Sequence, residues 1–217
     1  MTDMEEWLAT NSDYSSYGRG SLGQDAHNLK AEKALGLSDV PHRLVTSFSY
    51  ALPMGPGHSL ASSGILGKVL ERWQANGIIT YASGQPIEIN LPFDTSNTGG
   101  FHDYRPNCIK TPGDFPHTVD HWLDASAYAV PAQNTFGSCG PSPGPRTPGL
   151  KNWDFSLFKQ IPVTESKRFE FRAEFFNFFN ATQFGSPVPT LTLPTFGQIT
   201  TLNIHPREVQ FALKFYF

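Results

Sequence analysis

Apolar residues recur at every second position along five stretches of the 217-residue chain. That period marks β-strands with one apolar and one polar face. In 42–53, "HRLVTSFSYALP", Leu44, Thr46, Phe48, Tyr50 and Leu52 share one side, and Arg43, Ser47 and Ser49 the other. In 71–82, Trp73, Ala75, Ile79 and Tyr81 oppose Arg72, Gln74, Asn76 and Thr80. Residues 153–163 set Trp153, Phe155, Leu157 and Ile161 against Asp154, Ser156 and Gln160. Residues 167–180 set Phe169, Phe171, Ala173 and Phe175 against Arg168, Glu170, Arg172 and Glu174. A last strand is expected over 206–217. There Val209, Phe211, Leu213, Phe215 and Phe217 alternate with Glu208, Gln210, Lys214 and Tyr216. No stretch carries the period of a long helix.

Strands of about ten residues exceed the usual five or six and match the roughly 9–11 residues that a tilted strand needs to cross a bilayer. A soluble β-sandwich shows the same alternation, so period alone leaves both open. The connections favour the membrane. The link 163–167, "VTESK", is short and polar, and 54–68 is modest, whereas 83–152 and 181–205 are long and rich in Gly, Pro, Asn and Thr. Counted back from the last strand, long connections fall at one end of the sheet and shorter ones at the other, as in outer-membrane barrels. A compact soluble domain seldom holds an irregular connection as long as 83–152.

Composition narrows the classes further. Charged residues make up 16% of the chain, against about 25% in average soluble domains, while aromatics reach 13% and include eighteen Phe. The net charge of −3 and the absence of a basic stripe argue against nucleic acid as a partner. No apolar run approaches the roughly 18 residues of a spanning helix. The opening "MTDMEEWLATNSDYSS" has no signal-peptide pattern, which by itself points to the cytosol and is equally what a piece of a longer chain would show. Cys108 and Cys139 lie in Gly/Pro/Asn-rich sequence without zinc spacing. A loop-closing disulfide in an oxidising compartment is expected, with two unpaired thiols as the alternative.

Candidate chemistry is sparse. His117 and His121 stand four apart beside Asp120, with His102 and Asp103 earlier in the same connection. On a helix the pair would share a face fit for a metal, yet "HTVDHW" has weak helix signals and lacks a zincin glutamate. Packing or surface histidines are expected, with no metal and no cofactor. "SSGILGKV" (62–69) has Ser62 and Val69 where a phosphate loop needs Gly and Ser/Thr. Neither a nucleophile elbow nor a spaced carboxylate pair occurs, so no enzyme is expected. The 83–152 aromatics (Phe93, Phe101, Tyr104, Phe115, Trp122, Tyr128 and Phe136) either stack on a carbohydrate or peptide or pack the connection on itself. Trp73, Tyr81 and the aromatics of "NWDFSLFKQIPV" fall near strand ends, where membrane barrels carry aromatic belts.

Four stretches carry a resemblance: "NLKAEKALGLSDVPHRLVTSFSYALP" (28–53), "WQANGIITYASGQPIEI" (73–89), "PGLKNWDFSLFKQIPV" (148–163) and "FEFRAEFFNFFNATQFG" (169–185). Together they resemble the C-terminal barrel region of TonB-dependent receptors, nearest the Oar-like subgroup with a carboxypeptidase-regulatory-like domain. "RAEFFNFFN" and the Phe-terminated last strand are the most specific parts. The resemblance implies an all-β fold of antiparallel up-and-down strands from an outer-membrane barrel of about 22 strands, incomplete in this chain. It also implies a plug domain, and import of an unknown surface substrate with energy delivered by TonB. The terminal aromatic strand would be read by the barrel-assembly machinery.

On this reading Phe169, Phe171, Phe175, Val209, Phe211, Leu213, Phe215 and Phe217 face outer-membrane lipid, while Arg168, Glu170, Arg172, Glu174 and Lys214 face the lumen. Residues 1–41 are expected to be an extracellular loop remnant or cut strand, and 83–152 and 181–205 extracellular loops. Five strands cannot close so large a barrel without leaving edges in lipid. The chain is therefore expected to be the last quarter of a receptor, with the N-terminal barrel and plug as its missing partners. The rival reading is a secreted soluble β-sandwich that binds carbohydrate or peptide and holds the same aromatics in a dry core.

Overall fold

The computed structural model describes residues 23–25, 27–56, 64–99, 104–111 and 117–217, except the side chain of Leu66. Alternation folds as expected into one antiparallel sheet. Its strands are β1 (Arg43–Ala51), β2 (Trp73–Ala82), β5 (Leu150–Pro162), β6 (Arg168–Phe176) and β7 (Glu208–Tyr216), paired in that chain order. A second, two-stranded sheet pairs β3 (Asn107–Cys108) with β4 (Tyr128–Ala129). The described residues form no closed barrel: β1 and β7 are open edges of a five-stranded sheet. Among them, no helix is long and apolar enough to cross a membrane.

Local chemistry sets the strand ends. The link from β5 to β6 closes through Val163 N–H to the Lys167 carbonyl at 2.9 Å and Lys167 N–H to the Thr164 hydroxyl at 3.2 Å. The fourth strand was expected to run to Asn180 but stops at Phe176. Asn177 turns into the left-handed region with φ 50°, where asparagine is among the few tolerated residues. Its backbone N–H donates to Asp154 Oδ1 (3.0 Å), its side-chain NH2 to the Ala181 carbonyl (2.9 Å), and its Oδ1 accepts from Ala181 N–H (2.9 Å). β5 starts three residues earlier than expected because the Gln183 amide brackets the Lys151 backbone, accepting from its N–H at 2.9 Å and donating to its carbonyl at 2.6 Å. Between β1 and β2 the described residues include a short helix, α1 (Gly64–Leu70).

The chain divides into two units. The sheet unit is His42–Ala82, Leu150–Gln183 and Ile204–Phe217. The loop unit gathers Met1–Pro41, Ser83–Gly149 and Phe184–Asn203.

The stretches expected as separate irregular loops share a core. Ile87, Ile89, Leu123, Ala127, Tyr128 and Cys139 form a buried cluster, with Trp122, Leu191 and Phe196 packed on it. Backbone bonds join the two long connections: Trp122 N–H to Gly197 O (2.8 Å), Ile199 N–H to Val119 O (2.8 Å) and Leu191 N–H to Asn90 O (3.0 Å). Gly197 sits at φ +77°, and a Cβ there would meet the Leu123 backbone nitrogen at 3.0 Å, so the approach needs a glycine.

Candidate functional site

Cross-strand register sorts the side chains of the sheet unit. Phe169, Phe171, Ala173 and Phe175 of β6 stand opposite Phe215, Leu213, Phe211 and Val209 of β7. On the other side of β6 they face Ile161, Lys159, Leu157 and Phe155 of β5. Side chains directly opposite lie on one face, so the strand residues singled out as lipid-facing share a face that continues through Trp73, Ile79, Phe48 and Leu44.

None of these side chains enters a dry core. Phe211 is 67% and Leu213 65% exposed, Val209, Phe215 and Phe217 are exposed, and Phe169, Phe171 and Phe175 are half-buried by their row neighbours. An apolar surface this continuous is unusual on a soluble monomer and marks contact with lipid or protein.

Lysine–aromatic pairs bracket that face. Lys151 is opposite Tyr81 at one end, and Lys159 opposite Trp73 at the other. Eight residues of strand separate them, about 27 Å along the chain, against the roughly 25 Å apolar band of membrane barrels. At the first end Trp153 Nε1 donates to Tyr81 Oη at 2.9 Å, and the Trp153 ring packs edge-on to Phe179 with centroids 5.2 Å apart. At the second, Lys159 Nζ sits 5.5 Å over the Trp73 ring and donates to the carbonyls of Lys68 and Val69 at the end of α1. The expected strand 153–163 carries Lys159 at a position in phase with its apolar residues and leaves Lys151 outside, and the sequence showed no use for either. Their aromatic partners lie seventy or more positions away.

The opposite face carries a polar row. Arg172 Nε donates to Glu170 Oε1 at 2.6 Å, and Glu174 lies 4.0 Å from Arg172 Nη1. Tyr216 Oη donates to Glu170 at 3.4 Å, the Arg172 guanidinium covers the Phe158 ring at 4.4 Å, and Arg168 covers Tyr216 at 4.4 Å. Lys214 is the register partner of Glu170. The five charged residues singled out from the sequence therefore share one face. Next to Glu174, the residues Ser47, Ser49, Asn76, Asp154 and Ser156, together with the apolar Ile78 and Phe176, line a groove of about 430 Å³.

One apolar and one salt-laced face on strands of nine to thirteen residues is the pattern of a membrane barrel wall. A family model described as an outer membrane beta barrel domain matches residues 7–210.

The chain belongs to the outer-membrane β-barrel domain family. No curated protein and no solved structure matches it. Family membership places this barrel domain in the outer membrane.

The loop unit of the barrel domain is built on polar clamps that no periodicity announces. Cys108 and Cys139 are joined by a disulfide across 31 positions. Next to it Arg105 and Glu32 form an ion pair with side chains only 1% and 2% exposed. Gln24 ties the pair down: its Oε1 accepts from Arg105 N–H at 3.3 Å, its Nε2 donates to Gly137 O at 2.8 Å, and its own N–H donates to Glu32 at 3.1 Å. Asp94 caps the turn 94–99, and hydrogen bonding, first from the Ser96 hydroxyl, lowers its pKa. The Ser126 hydroxyl, followed by Lys110, likewise lowers Asp124. Burial, with the Asp124 charge adding to it, pushes Tyr128 up to about 12.

His117 and His121 are not on a helix. His117 Nδ1 donates to the Trp122 carbonyl at 3.0 Å and its ring packs on the Trp122 indole, centroids 4.8 Å apart, while His121 N–H closes a turn on Thr118. Among the described residues no three His, Cys, Asp or Glu side chains are grouped to hold a metal ion. His102, Asp103, Phe101, Phe115, Ser62 and most of the expected N-terminal remnant lie outside the described residues. Of the remaining loop aromatics, Tyr128 is buried, Trp122 and Tyr104 half-buried, and Phe93 and Phe136 exposed.

Proposed function

We propose that the chain is the C-terminal wall of a TonB-dependent receptor of the Oar-like kind, which captures a substrate at the cell surface and imports it with TonB-delivered energy. In this reading Phe169, Phe171, Phe175, Val209, Phe211, Leu213, Phe215 and Phe217 face lipid, and Arg168, Glu170, Arg172, Glu174 and Lys214 line the lumen. The loop unit is extracellular, and N-terminal barrel strands and a plug complete the wall. The observation that carries the reading is the register: across all five strands one face is mostly apolar and the other carries most of the charges. Val45, Ile78, Phe158 and Tyr216 are among the large apolar or aromatic residues on the charged side, and Lys151–Tyr81 and Lys159–Trp73 sit toward the two ends of the apolar face. The resemblance of "RAEFFNFFN" and the last strand to the receptors supplies the transport role.

Two measurements test it. Single cysteines at positions 210 and 213, treated with a membrane-impermeant maleimide in intact outer membranes, should label at Gln210→Cys and stay protected at Leu213→Cys. Equal labelling overturns the facing. Mass spectrometry of the outer-membrane polypeptide that contains this sequence should find a plug N-terminal to it. A native polypeptide lacking any plug overturns the receptor reading and leaves the barrel wall standing.

A further inference from the structure

The loop unit holds a cavity of about 460 Å³, in the range of small-ligand sites. Leu123, Pro143, Pro145 and the Trp122 indole supply apolar walls, and His117 and Thr147 polar edges. The indole is fixed before any ligand arrives. Its Nε1 donates to the Arg146 carbonyl at 2.8 Å, its backbone is held by Gly197, and its ring contacts His117.

The two charged groups at the cavity are already neutralised. Asp124 pairs with Lys110 at 3.2 Å and accepts from the Ser126 N–H and hydroxyl. Arg146 pairs with Asp39 at 2.5 Å and donates to the carbonyls of Asp39 and Gly84. Among the described residues a charged ligand would find no open counter-charge and would lose its hydration without compensation.

Among the described lining residues the His117 ring and the Thr147 hydroxyl stay available, beside the exposed Thr111. His117 donates through Nδ1, so its neutral ring presents Nε2 as an acceptor. The Thr147 hydroxyl accepts from Gln85 N–H at 3.0 Å and keeps its own hydrogen to donate.

We propose that this cavity binds a neutral saccharide, one or two pyranose rings at the end of a glycan. A pyranose has C–H faces that suit the indole and proline walls, and equatorial hydroxyls that both donate and accept. Those match His117 Nε2 and the Thr147 hydroxyl with no charge required. The proposal rests on the receptor reading only for the cavity's place at the cell surface, because binding itself needs nothing but the folded loop unit.

The test uses the full chain in micelles of a sugar-free amine-oxide detergent. Saturation-transfer NMR and calorimetry are run with maltose, cellobiose and N,N′-diacetylchitobiose as probes, and with galacturonate and a proline-rich peptide as competitors. At least one neutral disaccharide should bind saturably. His117→Phe, which keeps an aromatic ring and removes the acceptor, should weaken it by about fivefold or more, as expected for one lost hydrogen bond. His117→Ala should weaken it further. The Cys108–Cys139 bond and protease resistance report that each variant is folded. Absence of binding by every disaccharide at 50 mM (roughly the weakest affinity worth calling recognition), unchanged binding by His117→Phe, or preference for galacturonate or the peptide each overturns the proposal. Failure here leaves cysteine labelling and the plug search unaffected, so the two readings fail separately.

Discussion

The Phe48 ring lies directly over Gly77, its cross-strand partner. A Cβ built on Gly77 would come within 2.4 Å of Phe48 Cε1 and 2.5 Å of Cζ. Gly77 is also opposite Phe155, which is opposite Phe175, so the glycine is the one gap in an aromatic row and Phe48 fills it. Aromatic cover of a strand glycine restores packing and pins register. Gly77→Val should displace the ring and destabilise the sheet by about 1–3 kcal/mol, the usual cost of overpacking. Adding Phe48→Ala should relieve part of that loss. Urea unfolding in micelles, followed by tryptophan fluorescence, measures both.

Leu213 and Gln210 lie near the middle of β7 on opposite faces. A charge on a lipid face at mid-depth costs about 2–4 kcal/mol, and far less on a lumen face. Leu213→Arg should therefore lower the amount of the chain recovered in urea-washed outer membranes, while Gln210→Arg should leave it near wild type. A reversed pattern would mean that the faces are assigned the wrong way round.

The Arg105–Glu32 pair is buried, and Arg105 Nε and Nη1 have no hydrogen-bond partner among the described residues. Removing one member of a buried pair strands the other charge and costs about 3–5 kcal/mol, whereas replacing both with apolar groups is often neutral. Glu32→Gln should open the loop unit to proteolysis near Gly137, whose carbonyl Gln24 holds. The double variant Glu32→Leu with Arg105→Met should restore resistance. Cleavage patterns from limited digestion distinguish the three proteins.

Tyr128 is buried, and its hydroxyl has no partner among the described residues. Its folded pKa of about 12 lies above the ordinary tyrosine value of 10.0. A raised folded pKa means that this contribution to stability is fully present below pH 10 and is lost as pH rises toward 12. Alkaline titration should loosen the loop unit in that window, and Tyr128→Phe should remove this component. Since the phenylalanine also deletes an unsatisfied buried hydroxyl, it should match or exceed wild-type thermal stability at neutral pH. Ultraviolet tyrosinate absorbance and melting curves read the two effects.

The sequence by itself determined the five strands and their two faces, because period-2 alternation is a local property and each strand carries its own copy. Phe169, Phe171 and Phe175 share a face whatever they pair with, and so do Arg168, Glu170, Arg172 and Glu174. Tertiary structure decided what non-neighbours make of each other. Stretches 83–152 and 181–205 read as long irregular loops, since an irregular backbone rich in Gly and Pro has no period to betray burial. Only their hydrogen bonding at Asn90, Val119 and Gly197 shows one shared core. Glu32 and Arg105 gave no sign of a buried pair, being 73 positions apart, and Gly77 gave none of Phe48. The strand at 167–180 read too long because "FFNFF" continues the aromatic run, while Asn177 leaves the sheet for a left-handed turn held by Asp154 and Ala181. Alternation fixes which way a side chain points, and only the fold brings to it the partner that gives that direction a use.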